Sequence, residues 1–414
     1  MALRILFVPF GSEGDVNPLF WLADGLAARG HEAVFLLNAH YGNKADARGF
    51  RWFPIGTEEE FASLIRNPDL WDRRKGPKTV IQGMLDSLPH YRDAFQQAGT
   101  EFDLVVTSSF ALAATAIAEA AKLPRITLHF QPICFFSEFD CPHFVTELAW
   151  LPRAPRWVKR GFYRVVDLLL WRRIRKPLNA FRAELGLPPF RHFYNEALHG
   201  ADGVAALFPD WYAPPQLDWP PGLRQFGFPL DPTPQPLPED LENFLQSGEP
   251  PVVWTHGSAN VFVREFQKQA LAASRELNVR CLLVSLEAPE VPLPVGAFHC
   301  AHARFEDLFP RCRAAVHHGG IGTTAKCIAA GRPQLIIPRS HDQPDNAQRI
   351  VRLGLGDTLS YRKIHTPALP RVLKKLLDST SVPERCLEFQ KRLASSHSLP
   401  DACNWAEQIA TQNR

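Results

Sequence analysis

AAVHHGGIGTTAKCIAAGRPQLIIPRSHDQPDNAQRI, residues 314–350, decides the fold. Ala314–His317 is a short apolar run of strand length. Glycines follow, then a helical stretch from Thr323 that Gly331 stops, then a second apolar run over 334–337. Two buried strands joined by one helix make a parallel βαβ unit. The loop HHGGIGTT (317–324) lies between strand and helix. Its glycines let a ligand approach the backbone, and free N–H groups at the helix start attract an anion. A diphosphate is the expected guest, against the alternative of an ordinary tight turn. No Gly-Lys-Ser/Thr follows, and the spacing is not Gly-x-Gly-x-x-Gly, so neither a P-loop nor a hydride-transfer cofactor is favoured. After the second strand, residues 338–347 bring a carboxylate beside an amide. Asp342 and Gln343 suit hydrogen bonds to vicinal sugar hydroxyls, or simply cap the next helix.

The same rhythm extends outward on both sides. Val252–Thr255 is a strand, followed by the loop His256-Gly257-Ser258, a helix through Phe266 and Leu271, and a strand over 279–285. At the start, residues 3–9 read as a buried strand. Asn17 with Pro18 then reads as an N-cap with proline at the first helical position. Leu19, Leu22 and Leu26 keep helical spacing, and 33–37 resumes a strand. Residues 104–107, 111–121 and 126–130 repeat strand, helix, strand. Alternation of this kind predicts an α/β chain of two doubly wound parallel sheets. Between 208 and 238, proline and aromatic residues crowd together and read as an ordered linker. The expected division is 1–215 as the first domain, 216–240 as linker, and 241–380 as the second domain. Residues 381–414 are expected to be helices crossing back to the first domain, with a break at Pro400. Ligands of such sheets bind beyond the carboxyl ends of the strands, so a cleft between the domains is expected.

The bulk numbers exclude several classes. A net charge of +3 is too balanced for nucleic-acid binding, and 45% hydrophobic with 21% charged residues suits a globular protein. No apolar stretch approaches the roughly eighteen residues of a membrane span. The apolar start is strand-like and has no basic leader, so no signal peptide is expected. Eight scattered cysteines without a Cys-x-x-Cys pair read as buried thiols of a cytoplasmic protein.

The segment from His317 to Ile350 resembles the donor-binding block of family 1 glycosyltransferases of the GT-B fold. The loop GSEGDVNP (11–18) is similar to that of sterol and glycopeptide-antibiotic glycosyltransferases. DWYAPPQLDWP with FGFPL is similar to the rhamnosyltransferase of rhamnolipid synthesis and its relatives. The resemblance implies an NDP-sugar donor of the UDP-glucose or dTDP-rhamnose type. It implies that His318, Gly320, Gly322 and Thr323 line the diphosphate, with Ser258 closing over it. Asp342 and Gln343 would grip the sugar, His302 would stack on the base, and Ala303 would give it a backbone contact. Two departures stand out: Lys326 occupies the place of a ribose-binding glutamate, and His302 that of a larger aromatic residue.

Where many relatives have a catalytic histidine in the first loop, this chain has Asp15. Gly11, Ser12 and Gly14 surround it, and Ser108 and Ser109 stand where that histidine's carboxylate partner would be. The implied reaction inverts the anomeric carbon, with Asp15 as general base. The other reading of Asp15 is a turn-stabilising residue. The helix end and His318 would stabilise the leaving diphosphate without a metal, and no Asp-x-Asp occurs in the chain. Residues 150–176 are basic and aromatic. Val158, Phe162, Val165 and Leu169 are expected on one helical face, with Arg156, Arg160 and Arg164 on another. Such a helix either packs on the first domain or contacts a membrane, and it points to a hydrophobic acceptor. A sugar-nucleotide epimerase and an inactive sugar-nucleotide-binding scaffold are the competing functions.

Overall fold

The computed structural model describes residues 2–72, 75–231, 233–257 and 263–412. Two compact units emerge, one built from residues up to 70, 74–229 and 397 onward, the other chiefly from 230–396. The first carries a sheet of β1 (Arg4–Val8), β2 (Glu32–Leu37), β3 (Arg51–Pro54), β4 (Leu104–Ser108), β5 (Arg125–His129), β6 (Gly203–Ala206) and β7 (Arg224–Gln225). Its spatial order is β3-β2-β1-β4-β5-β6-β7, all parallel. The second carries β8 (Val252–Thr255), β9 (Cys281–Val284), β10 (Ala297–Cys300), β11 (Ala314–His317), β12 (Gln334–Ile336) and β13 (Gly356–Thr358). Their order is β10-β9-β8-β11-β12-β13, again all parallel.

Helices on both faces explain the unbroken apolar runs of the central strands. Successive side chains of a strand point to opposite faces. Leu6, Val8, Val34 and Leu36 therefore join one core with the alanines of the helix Leu112–Ala120. Phe7 and Phe35 face the other way, stacked at 5.0 Å, with Phe20 of the helix Glu13–Ala27 at 4.6 Å from Phe35. In the second unit Trp254, Leu283 and Val316 pack on one face while Val253, Leu282 and Ala315 pack on the other. All eight cysteines are free and buried, and burial pushes the thiols of Cys281 and Cys312 up to about 12.

Three local expectations change. The first helix starts at Glu13 with Ser12 as N-cap, not at Pro18, which lies inside it. A reciprocal cap between Ser12 and Asp15 outweighs the proline signal. Pro18 costs the helix one hydrogen bond, to the exposed Gly14 carbonyl. The C-terminal break falls before Pro400: helices span Ser381–Ala394 and Ser398–Gln412, so the proline sits in a first turn, where its missing N–H costs nothing. The third change concerns the 29-residue helix Arg156–Glu184. Its inner line is Tyr163, Ile174, Leu178 and Phe181, with Val158 and Phe162 partly covered, whereas Val165 and Leu169 face outward. The apolar side chains are thus split between two faces.

The proline-rich stretch divides as well. Phe208, Tyr212, Trp219 and Phe228 are buried in the first unit, and β7 extends its sheet. The last helix packs there too, its Trp405 ring 5.3 Å from Phe226.

Candidate active site

In each unit the chain winds outward from a central strand and then returns to that strand's other side. The reversals lie between β1 and β4 and between β8 and β11. Loops leaving the carboxyl ends of such a pair diverge, which opens a crevice for ligands.

In the second unit Thr255 of β8 and His317 of β11 are register partners, so their loops emerge side by side. His318 is half-buried there, its ring nearly parallel to that of His256 at 6.1 Å. A methyl carbon on Gly257 would lie 2.6 Å from His318 Cε1, and one on Gly320 would lie 2.5 Å from its Nε2. Those two glycines exist to let the imidazole in. Gly257 and Gly319 also have φ of +84° and +91°, which other residues resist. His317 Nδ1 accepts from the Gly319 N–H at 3.1 Å, so its Nε2–H donates to Gln334 Oε1 at 3.0 Å. That histidine is a neutral brace of the turn. Burial holds His318 well below the usual imidazole range, with His256 and His317 adding to the effect, and holds His256 at about 3.

Gly320 is the N-cap of the helix Ile321–Ala329, with extended backbone. The N–H groups of Ile321, Gly322 and Thr323 precede the first intrahelical bond, made by Thr324 N to Gly320 O at 3.0 Å. Thr324 Oγ1 and His318 Nδ1 are buried with no hydrogen-bond partner among the described residues. Gly322 differs from its neighbours: nothing lies within 4 Å of where its Cβ would be. Its own packing does not demand glycine, whereas an approaching ligand would.

The loop after β12 meets this turn. Gln343 Oε1 accepts from the N–H groups of Arg339 at 2.8 Å and Ser340 at 3.2 Å, leaving its amide nitrogen to donate elsewhere. Asp342 is the N-cap residue of the helix Gln343–Leu353, but its carboxylate accepts from Asn346 Nδ2 at 2.7 Å instead of capping a backbone N–H. The same Nδ2 donates to Gly319 O at 2.9 Å, so fully buried Asn346 ties the glycine turn to Asp342. His302 is exposed and Ala303 buried in the segment after β10. Lys326, one helical turn past Gly322, pairs with Glu306 at 3.1 Å.

In the first unit, Asp15 Oδ2 accepts from Ser12 N at 2.9 Å and from Ser12 Oγ at 3.1 Å. Oδ1 takes no hydrogen bond among the described residues. Burial raises this carboxyl to about 6, against the pull of the two Ser12 bonds. Gly11, at φ +127°, has to be glycine, because a Cβ would lie 2.3 Å from Asp15 Oδ2. Gly14 is exposed beside them. Ser108 anchors the loop, its Oγ accepting from Phe10 N at 2.8 Å. Ser109 turns away to His129 Nδ1 at 2.9 Å. Asp15 is thus a helix-capping carboxylate and, at the same time, an acid shifted toward neutrality.

Residues 291–402 match the family model for the C-terminal domain of erythromycin biosynthesis protein CIII-like proteins. The chain is 30% identical to O-mycaminosyltylonolide 6-deoxyallosyltransferase of Streptomyces fradiae over 99% of both chains. The chain is a family 1 glycosyltransferase. A sterol 3-beta-glucosyltransferase of Komagataella phaffii is 25% identical to this enzyme, over 96% of its chain and 34% of the relative's. The solved glycosyltransferase VinC, in complex with DTDP, shares the GT-B fold of the enzyme, with a TM-score of 0.67 at 19% identity over 99% of each chain.

Of the donor residues expected in the enzyme, His318, Gly320, Gly322, Thr323, Asp342 and Gln343 lie in one connected turn system. Ser258 lies outside the described residues. His302 and Ala303 stand apart, at the end of β10. Gly11, Ser12, Gly14 and Asp15 form a second group in the other unit. Sequence reasoning missed Asn346, although Asp342 and Asn346 show the i, i+4 spacing of a helical side-chain pair. It also missed Gly257 and Arg339, whose guanidinium lies 4.5 Å over Tyr361 and depresses the pKa of His256.

Proposed function

We propose that this glycosyltransferase moves a hexosyl group from a nucleoside diphosphate sugar to a hydroxyl of a bulky hydrophobic acceptor, inverting the anomeric centre. The observation that carries the reading is the helix end at Ile321–Thr323, whose N–H groups lack intrahelical acceptors, open at Gly322 and flanked by the neutral His318. Three N–H groups and a neutral imidazole, which keeps one N–H to donate, form a preorganised site for a leaving diphosphate. Asp15 takes the acceptor proton as the hydroxyl oxygen bonds to the anomeric carbon. The bond from that carbon to the phosphate oxygen breaks, and the diphosphate leaves with the electron pair. A base with a pKa of about 6 is ionised at neutral pH and still basic enough to act. Asp342 and the free amide of Gln343 hold the sugar hydroxyls, and neither the diphosphate nor the base requires a metal.

The relatives' names support the acceptor class, since sterols and O-mycaminosyltylonolide are large hydroxyl-bearing molecules. Thymidine diphosphate is the first base to test, given the DTDP in VinC. Glu306, paired to Lys326, supplies a carboxylate for the ribose now that the helix carries a cation there. Calorimetry with uridine and thymidine diphosphates, for wild type and His318→Ala, tests the donor reading. Binding of one nucleotide that the variant loses supports it; equal binding by both proteins refutes it. Turnover of the matching sugar nucleotide, abolished in Asp15→Asn with nucleotide binding intact, tests the base.

A further inference from the structure

The helix Arg156–Glu184 is clamped on one side only. Ile174, Leu178 and Phe181 are buried, and fully buried Arg182 pairs with Glu119 at 2.7 Å while lying 3.5 Å over the Phe190 ring. The opposite side exposes large apolar side chains: Trp157 at 75%, Val165 at 54%, Leu168 at 56% and Leu169 at 57%. Spacings of three, four, eight and eleven residues set them on one face. Between them the exposed residues are cationic: Arg164, Arg172, Arg173, Arg175 and Lys176. None of these five forms an ion pair among the described residues. Arg156 and Arg160, further back, are partly answered by Glu138, at 3.9 and 2.7 Å. The helix's acid in this stretch, Asp167, is half-buried and accepts from Tyr194 N at 3.1 Å.

A chain with a net charge of only +3 thus concentrates unpaired cations and greasy side chains on one helix of 29 residues, about 43 Å of helical rise. We propose that this face binds an anionic lipid bilayer peripherally, with Trp157, Val165, Leu168 and Leu169 entering the acyl boundary and the arginines meeting headgroup phosphates. Charge complementarity selects this occupant. A second copy would set unpaired arginines against one another, and a nucleic acid would gain nothing from Val165, Leu168 and Leu169. The helix lies in the plane of the surface and does not cross it. Among the described residues no helix is long and apolar enough to span a membrane.

Flotation of the full chain with vesicles tests the proposal. Phosphatidylcholine mixed with phosphatidylglycerol should bind about tenfold or more tightly than phosphatidylcholine alone, and salt should weaken the binding. Trp157→Ala with Leu168→Ser should cut that affinity about tenfold, and Arg172→Glu with Arg175→Glu should abolish it. Brominated acyl chains should quench wild type more than Trp157→Phe. Unchanged thermal melting and nucleotide binding would show that these surface variants fold. Absence of binding to anionic vesicles overturns the proposal. Binding that ignores the apolar substitutions, or a preference for RNA over the vesicles, overturns it too.

Discussion

Replacing Gly322 by alanine should stabilise the protein and impair the enzyme at the same time. Gly322 is exposed, second in its helix, free of left-handed backbone and without a neighbour within 4 Å of the new methyl. Alanine in an exposed helix is worth about 0.5–1 kcal/mol over glycine, chiefly by restricting the unfolded chain. For a unit of this size that raises its melting midpoint by about 1–4 °C. The same methyl would stand among the N–H groups proposed to hold the diphosphate. Loss of one hydrogen bond to a charged group costs about 1.5–3 kcal/mol, so nucleotide affinity should fall roughly ten- to a hundred-fold. Gly257→Ala and Gly320→Ala are the contrast, since their methyls would collide with His318 and should lower stability as well as binding. Differential scanning calorimetry paired with titration of the nucleoside diphosphate reads both quantities. Wild-type affinity in Gly322→Ala would refute the placement of the diphosphate at this helix end, and a lower melting midpoint would refute the open-space argument.

Three further outcomes follow from the geometry. Because burial raises Asp15 to about 6, kcat/KM should fall as pH drops through about 6 rather than about 4. Ser12→Ala removes a bond that lowers this pKa, so the limb should move to higher pH; an unmoved limb would exclude Asp15 as its source. The histidines His129, His199, His256, His317 and His318 are all held below their ordinary range, with His199 and His317 at about 4. The unfolded chain takes up those protons first, so stability should be full above pH 6.5 and decline toward pH 4. The slope is about 1.4 kcal/mol per pH unit for each titrating histidine, as read by urea melts across that range. Asn346→Asp should lose about 1–3 kcal/mol by facing the Gly319 carbonyl and Asp342 with an acceptor, and should raise the donor KM; a melt and KM unchanged from wild type would remove its positioning role.

Much of this arrangement was legible in the residues because central parallel strands are buried on both faces. β1, β8 and β11 announce themselves as unbroken apolar runs, and the loops after them carry the glycines. Peripheral strands do not. Arg51–Pro54, Arg224–Gln225 and Gly356–Thr358 lie at or near sheet edges, are largely half-exposed, and carry arginine, proline or glycine in place of aliphatic runs. Their pairing is decided by the neighbours they dock on, so their own composition is mute. The first helix misled for a different reason. Proline after asparagine is a start signal read locally, but Ser12 and Asp15 supply a reciprocal cap whose carboxylate is also the candidate base. The long helix misled because its apolar positions were assumed to share one destination, whereas the core uses one set and leaves the other to solvent.

The glycines separate packing from function more sharply than the charged residues do. Gly11 makes room for Asp15, and Gly257 and Gly320 make room for His318, so each records a contact internal to the protein. Had Gly322 belonged to the same class, the whole turn would be explained by packing, and a diphosphate would be superfluous. It does not, and around it Thr324 Oγ1 and His318 Nδ1 are buried without partners among the described residues. Buried polar atoms left unpaired cost about 1–3 kcal/mol each. Two of them beside that helix end, at the crevice of a doubly wound sheet, support the proposal of a diphosphate there.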